Sequence, residues 1–189
     1  ALVVRRGGDT LLFDCGEGTQ RQLLRSIGLA DLREVFITHF HADHVLGIPG
    51  MLKTFALRGR ELPLTIYGPR GLKGLMRDLE PLYNRLSYEL DIVELEPGEA
   101  VGFDDYEVTG FSVDHQGTAF GYAVVEDARP GRFDEDEARR LGVPPGPEFG
   151  KLQRGQSVTV ADGATVDPSQ VLGETRLGRK VVYSGDTAP

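Results

Sequence analysis

Residues 38–44 read Thr-His-Phe-His-Ala-Asp-His, directly after the apolar run Glu34-Val35-Phe36-Ile37. A stretch so dense in metal-binding donors must either be turned inward around an ion or left in water. Imidazole and carboxylate are donors that Zn²⁺ favours, and the exit of a strand is where a loop can gather them. Three of the four histidines of the chain lie here.

His39 and His41 are two apart, so on an extended backbone their side chains share one side and can hold an ion as a pair. Asp43 and His44 fall on the other side of the turn. A second ion there would lie close to the first, and two-metal hydrolases use separations of roughly 3.5–4 Å to clamp attacking and leaving oxygens. The plain alternative is a surface cluster of histidines with no ligand role. Two distant segments have matching character. His115 follows the alternating run Tyr106 to Val113 and is the remaining histidine; it would close the shell of the first ion, although a lone histidine is more often structural. Lys180 to Thr187 reads as an apolar strand ending in Gly185-Asp186. Its carboxylate could bridge both ions, with Gly185 letting the backbone come close, or could simply cap a turn.

The pattern HxHxDH, then a later single histidine, then a strand ending in Gly-Asp-Thr, resembles the metallo-β-lactamase superfamily. Within it the chain is most similar to the tRNase Z family, through Asp14-Cys15-Gly16-Glu17-Gly18-Thr19-Gln20 and through a projecting segment containing Pro144-Pro145-Gly146-Pro147. The resemblance runs over essentially all 189 residues. It implies an α+β fold, an αββα sandwich, in which His39, His41 and His115 hold one Zn²⁺, Asp43 and His44 hold a second, and Asp186 bridges. Asp14, Glu17 and Thr19 would support the site from behind, although Glu17 is also explained as a charge at a helix N-terminus. The family has an apolar strand ahead of this region and a further metal-binding histidine beyond it, so the chain is expected to be a portion of a longer protein, with the second ion short of one ligand.

Composition bounds the rest. The chain is 40% hydrophobic and 26% charged, which suits a single globular domain with an inserted arm. We expect the core over residues 1–127 and 177–189 and the arm over 128–176. No apolar run approaches the ~20 residues of a membrane span, so no membrane partner is expected and a cytoplasmic location is the default. Cys15 is the only cysteine, which excludes an internal disulfide, and it reads as a packed thiol rather than a ligand. The net charge of -8 argues against nucleic acid, yet the charge is segregated: residues 51–77 carry six basic side chains and one acid, and residues 78–107 carry ten acids and one arginine. An electropositive face is therefore possible.

The periodicities predict a hairpin (Leu2 to Arg5, Leu11 to Phe13), a helix over Gln20 to Ile27 capped by Thr19, a strand over Glu34 to Ile37, and a helix over Leu46 to Leu57. They continue with a strand over Leu64 to Tyr67, a helix over Gly71 to Leu82, and strands at Asp91 to Leu95, Ala100 to Phe103, Tyr106 to Val113 and Phe120 to Glu126. The arm holds five of the eleven prolines. It should contain a short helix opened by Asp134 and Glu137, a rigid non-helical Val143 to Pro147, a small strand at Ser157 to Val160 and a capped turn at Asp167 to Gln170; composition alone would also allow a disordered loop. Its basic residues, among them Arg132, Lys151 and Arg154, could meet phosphates.

The resemblance implies a zinc-dependent endoribonuclease that removes the 3′ trailer of precursor tRNA and leaves a 3′-hydroxyl. Asp43 would orient the nucleophile and relay its proton. It also implies a homodimer in which the arm of one subunit grips tRNA for the other. Two alternatives stand beside it: a different hydrolase on the same ligands, acting on a small phosphodiester, sulfate ester or thioester, and a non-catalytic tRNA-binding module.

Overall fold

A computed structural model describes residues 1–28 and 32–188; Pro189, the last residue of the expected core, lies outside them. The described chain forms two compact units. One comprises residues 1–103, 107–124 and 181–189, the other residues 104–106 and 125–180.

In the first unit, β1 (Leu2–Arg6) and β2 (Asp9–Phe13) form an antiparallel hairpin across Gly7-Gly8. Three parallel strands extend it, β3 (Leu32–Phe36), β4 (Leu64–Gly68) and β5 (Leu90–Glu94), in the order β1-β2-β3-β4-β5. Parallel neighbours need a crossover between them, and helices supply it. These are α1 (Thr19–Ser26) after β2, α2 (Ala42–Val45) and α3 (Gly47–Leu57) after β3, and α4 (Leu72–Tyr83) after β4. All four pack on one sheet face, where Leu23, Val45, Met51, Leu52, Phe55, Leu72 and Met76 meet Leu12, Val35, Ile37, Leu64 and Ile66.

The other face meets a second sheet of β6 (Ala100–Gly102), β7 (Tyr106–Ser112), β8 (Phe120–Glu126) and β11 (Lys180–Tyr183), ordered β11-β8-β7-β6. Aromatic rings fill the space between the sheets. Phe13 stacks on Phe36 at 5.2 Å, the Tyr122 ring meets Phe36 edge-on at 5.3 Å, and the buried Tyr122 hydroxyl donates to Ile37 O. Paired rings of this kind contribute about 0.5–1.5 kcal/mol beyond their burial. The expected α+β sandwich is thus present, and the described residues of this unit build three of its four αββα layers, helix, sheet and sheet.

The second unit has a core of its own. Ala138, Val143, Leu152, Val158, Val160, Val166 and Val171 are buried together, with Phe133 against Phe149 at 4.9 Å. Its elements are α5 (Glu135–Arg140), α6 (Pro147–Gln153), a β9–β10 hairpin (Val158–Thr159, Thr165–Val166) and α7 (Pro168–Val171). A disordered loop is therefore excluded. The legs of the segment pair at Arg129↔Arg176 and Phe133↔Leu172, and Arg179 clasps the carboxylate of Glu126 through Nε at 3.0 Å and Nη2 at 2.6 Å.

Several local expectations change. Gly18 is the N-cap of α1 and Thr19 its first residue, because the carboxyl-terminal side of the preceding loop enters through a left-handed turn. Pro147 was expected to exclude helix, yet it opens α6, since a proline at the first helical position loses no hydrogen bond. The box at Asp134 is half formed: its side chain accepts from Glu137 N, while Glu137 turns to Arg140. Arg60 leaves the supposed basic face. It is buried over Phe55 and Tyr88 and donates to the carbonyls of Leu32, Leu62 and Pro63.

One glycine pair governs the packing at the end of β2. A Cβ at Gly16 would stand 2.0 Å from Asp43 O, and one at Gly47 would stand 2.0 Å from Gly16 O. Cys15 N donates to His44 O and Gly47 N to Cys15 O, so two backbone segments touch directly. Gly16→Ala should therefore cost about 3 kcal/mol in urea denaturation, whereas Gly8→Ala, with nothing within 4 Å of its Cβ, should change the midpoint little. Glu34 supplies a pH test. Burial first, then the Asp9 charge, pushes its carboxyl from 4.5 up to about 7, and its Oε2 is buried without a hydrogen bond. The folded state thus holds this proton more tightly than the unfolded chain, so the contribution to stability is full below pH 4.5 and declines up to about 7. Glu34→Gln should flatten that slope in a series of melts across this range.

Candidate metal centre

Three chain segments deliver the donors. Ile37 N donates to Tyr67 O as the last tie of β3 to its neighbour, and the chain then leaves the sheet with His39 and His41. It turns at once into α2, which carries Asp43 and His44; the expected turn is a short helix. His115 lies in the loop between β7 and β8, and Asp186 follows β11. Phe120 N binds Thr38 O, and Ala188 N binds Asp114 O at 2.6 Å, so the loops are tied to one another.

The donors converge in two groups, His39 with His41 and His115, and His39 with His44 and Asp186, and within each the ligand atoms lie within 4.8 Å of one another. His115 Nε2 faces His41 Nδ1 at 3.2 Å, and His44 Nε2 is 3.6 Å from Asp186 Oδ1. Asp43 joins neither group of three. Its Oδ2 is 3.5 Å from His44 Nε2, and its side chain is 79% exposed at the mouth of the site.

Beneath the imidazoles lies Asp14, fully buried and at φ 59 although not a glycine. Its Oδ1 accepts from Thr38 N at 2.8 Å and from the Thr38 hydroxyl at 2.9 Å, and its Oδ2 accepts from His44 Nδ1 at 2.8 Å. A carboxylate only accepts, so the His44 proton sits on Nδ1 and Nε2 is left with its lone pair. The Thr38 hydroxyl gives its one proton to Asp14 and accepts from His39 Nδ1 at 3.0 Å. That frees His39 Nε2 in the same way. Gly185 presses on this junction, since a Cβ there would meet Thr38 Cγ2 at 2.9 Å.

These residues fit a metal. His39 Nε2 is buried with no hydrogen-bond partner, an expensive state for a polar atom unless something else binds it. Burial, reinforced by the neighbouring His44, His41 and His115, lowers the His39 pKa and keeps the ring neutral, the form that ligates. Imidazoles whose far nitrogens are held by carboxylate or hydroxyl partners are the usual arrangement around bound zinc.

Of the residues expected behind the site, Asp14 is the one that touches ligands. Thr19 is buried beside the Cys15 thiol, and Glu17 is exposed at the start of α1; among the described residues neither bonds an imidazole. Burial pushes the Cys15 thiol up to about 12 and its Sγ lies 3.8 Å from Met51 Sδ, so it is a packing group. In the second unit Pro144, Pro145 and Gly146 form the exposed link between α5 and α6, and Lys151 pairs with Glu148 at 3.0 Å. Arg132 and Arg154 are exposed, and no carboxylate pairs with them among the described residues. Sequence reasoning missed Thr38 and Tyr183 as partners of Asp14. Thr38 is adjacent to the motif and was legible as a hydroxyl beside a ligand; Tyr183 carries no local signal.

Comparison with known proteins gives the family. The chain is 47% identical over 191 residues to a protein of Methanosarcina acetivorans named Ribonuclease Z, and 51% identical over 189 residues to the protein of that name in Myxococcus xanthus. All of this chain is covered in both alignments, and it spans 62% of the length of each relative. The crystal structure of human tRNase Z, short form, superposes with a TM-score of 0.59 at 34% identity, covering 67% of this chain and 58% of the human one. The family model for the metallo-beta-lactamase superfamily matches residues 1–189. With two donor groups that share His39 above a buried aspartate, in a two-sheet sandwich, and that match over its whole length, the chain belongs to the metallo-beta-lactamase superfamily.

Proposed function

We propose that this chain carries the catalytic centre of a zinc-dependent endoribonuclease that cuts the 3′ trailer from precursor tRNA and leaves a 3′-hydroxyl. The observation that carries the reading is the meeting of His39, His41, His44, His115 and Asp186 beside an open cleft of about 700 Å³ lined by residues 114–116 and 185–188. Such a cleft accepts an extended backbone as readily as a small molecule. Relatives named Ribonuclease Z at 47–51% identity favour the former.

His39, His41 and His115 would hold one ion, and His44 with Asp43 and Asp186 a second. When bound, two Zn²⁺ ions supply a water acidified towards a pKa of about 7 and positive charge for the phosphate and the departing oxygen. The chain supplies the rest. Asp43, exposed at the mouth, accepts a hydrogen bond from the attacking water, orients it and takes its proton. Asp14 and Thr38 keep the ring protons of His44 and His39 on the far side of each imidazole, so both Nε2 atoms remain aimed at the centre.

The second unit would hold the tRNA. Arg132, Lys151 and Arg154 contact phosphates, which positions a nucleic acid without reading its sequence, and Pro144 to Pro147 present a stiff exposed edge to the tRNA. The partner is precursor tRNA and the assembly a homodimer in which one subunit's arm serves the other's centre. No described helix is long and apolar enough to cross a membrane, and a cytoplasmic enzyme is the working assignment.

Incubating the protein with precursor tRNA and, separately, with a generic bis-ester tests this: trailer release supports it, while turnover of the bis-ester alone would favour a small-substrate hydrolase. In the same assay Asp43→Ala should lower cleavage by roughly 10²- to 10⁴-fold with tRNA binding retained; undiminished cleavage would remove its proton-transfer role. Excising residues 130–173 should join neighbouring ends, since Arg129 and Arg176, just outside the cut, exchange backbone hydrogen bonds at 2.8 and 2.9 Å. That deletion is expected to weaken tRNA binding in a filter assay and to spare bis-ester hydrolysis, and equal loss on both would contradict the assignment of the arm.

A further inference from the structure

Three of the four donors that reach the Asp14 carboxylate come from the loop it supports: Thr38 N, the Thr38 hydroxyl and His44 Nδ1. The fourth comes from elsewhere. Tyr183, the last residue of β11, donates its hydroxyl to Asp14 Oδ2 at 2.9 Å, the same oxygen that receives the His44 proton. We propose that Tyr183 is a positioning residue of the metal centre: by anchoring Asp14 Oδ2 it aims His44 Nε2, and so sets the strength of the ion that His44 shares with Asp186. The proposal rests on reading the cluster as a metal centre.

The backbone of Asp14 makes the anchor necessary. At φ 59 it occupies a region that residues with a side chain adopt at a cost, and such a conformation persists only where the surroundings over-determine it. Without Tyr183 the carboxylate would be fixed solely by the loop whose geometry it is meant to fix. The Tyr183 ring also packs outside that loop, half-buried with its centroid 6.0 Å from that of Phe13.

The same strand end delivers a ligand. From Tyr183 the chain passes through Ser184 and Gly185, which packs on Thr38, to Asp186. Seating β11 therefore brings the Asp186 carboxylate to His44 and the Tyr183 hydroxyl to the group behind His44 in one movement. The His39, His41 and His115 group has no contact with Tyr183 among the described residues, so the two ions should respond differently to its loss.

The test is a Zn²⁺ titration of the full chain against a competing chelator, wild type beside Tyr183→Phe, with the melting temperature of each metal-free protein measured first. The expected result is two binding phases in the wild type and, in Tyr183→Phe, a weaker phase reduced by about tenfold, the low end of what losing an outer hydrogen bond costs. The tighter phase should be unmoved, and bis-ester turnover should be lost at limiting Zn²⁺ and restored at saturating Zn²⁺. Identical isotherms would overturn the proposal and leave the metal centre standing. Equal weakening of both phases with a lowered metal-free melting temperature would also overturn it, as a general structural defect. A wild-type chain that binds no ion would overturn both readings.

Discussion

The buried carboxylate of Asp14 organises this chain. Removing a carboxylate from water is costly unless its oxygens are fully hydrogen-bonded, and here Thr38 supplies two donors, His44 one and Tyr183 one. Satisfying it forces the end of β2, the ligand loop after β3 and the end of β11 to meet at one point. The order imposed there is chemical as well as spatial, because it determines which nitrogen of His44 and of His39 carries its proton.

Close backbone contact is the second constraint, and it follows from the first. For Asp14 to reach Thr38 and His44 the chain at Cys15 and Gly16 must lie directly against α2, with Cys15 N on His44 O and no room for a Cβ at Gly16. The segment from Asp14 to Gly18 reads as a signature for this reason: a carboxylate, a small packed thiol and glycines at points of contact. The aromatic rings of Phe13, Phe36 and Tyr122 hold the two sheets at the spacing this junction needs.

Much of the fold was legible because its signals are local. Apolar alternation marked the strands, helical spacing marked α1, α3 and α4, and the density of donors between His39 and His44 marked the site. What was misread depended on partners far along the chain. Arg60 counts as surface charge in a composition window, yet Phe55, Tyr88 and three carbonyls bury it. The segment from 128 to 176 has weak periodicity because its elements are short, and its core is assembled from one or two residues each of α5, α6, β9, β10 and α7, with Val143 and Val160 from between them. Pro147 illustrates a subtler limit, since the same ring that blocks a helix interior begins one.

The sequence alone determined the donor set and its chemistry, because imidazole and carboxylate side chains at close spacing bind cations wherever a loop gathers them. It also marked most of the helices and strands, through the periods of its apolar residues, while the sandwich they form was implied by the resemblance. Only the tertiary structure decided that His115 and Asp186 reach the cluster, that His39 belongs to both groups of ligands, and that Tyr183 stands behind His44. Those relations are distances between segments remote in the chain, and they are set by how two sheets and their helices pack rather than by any local preference of the residues involved.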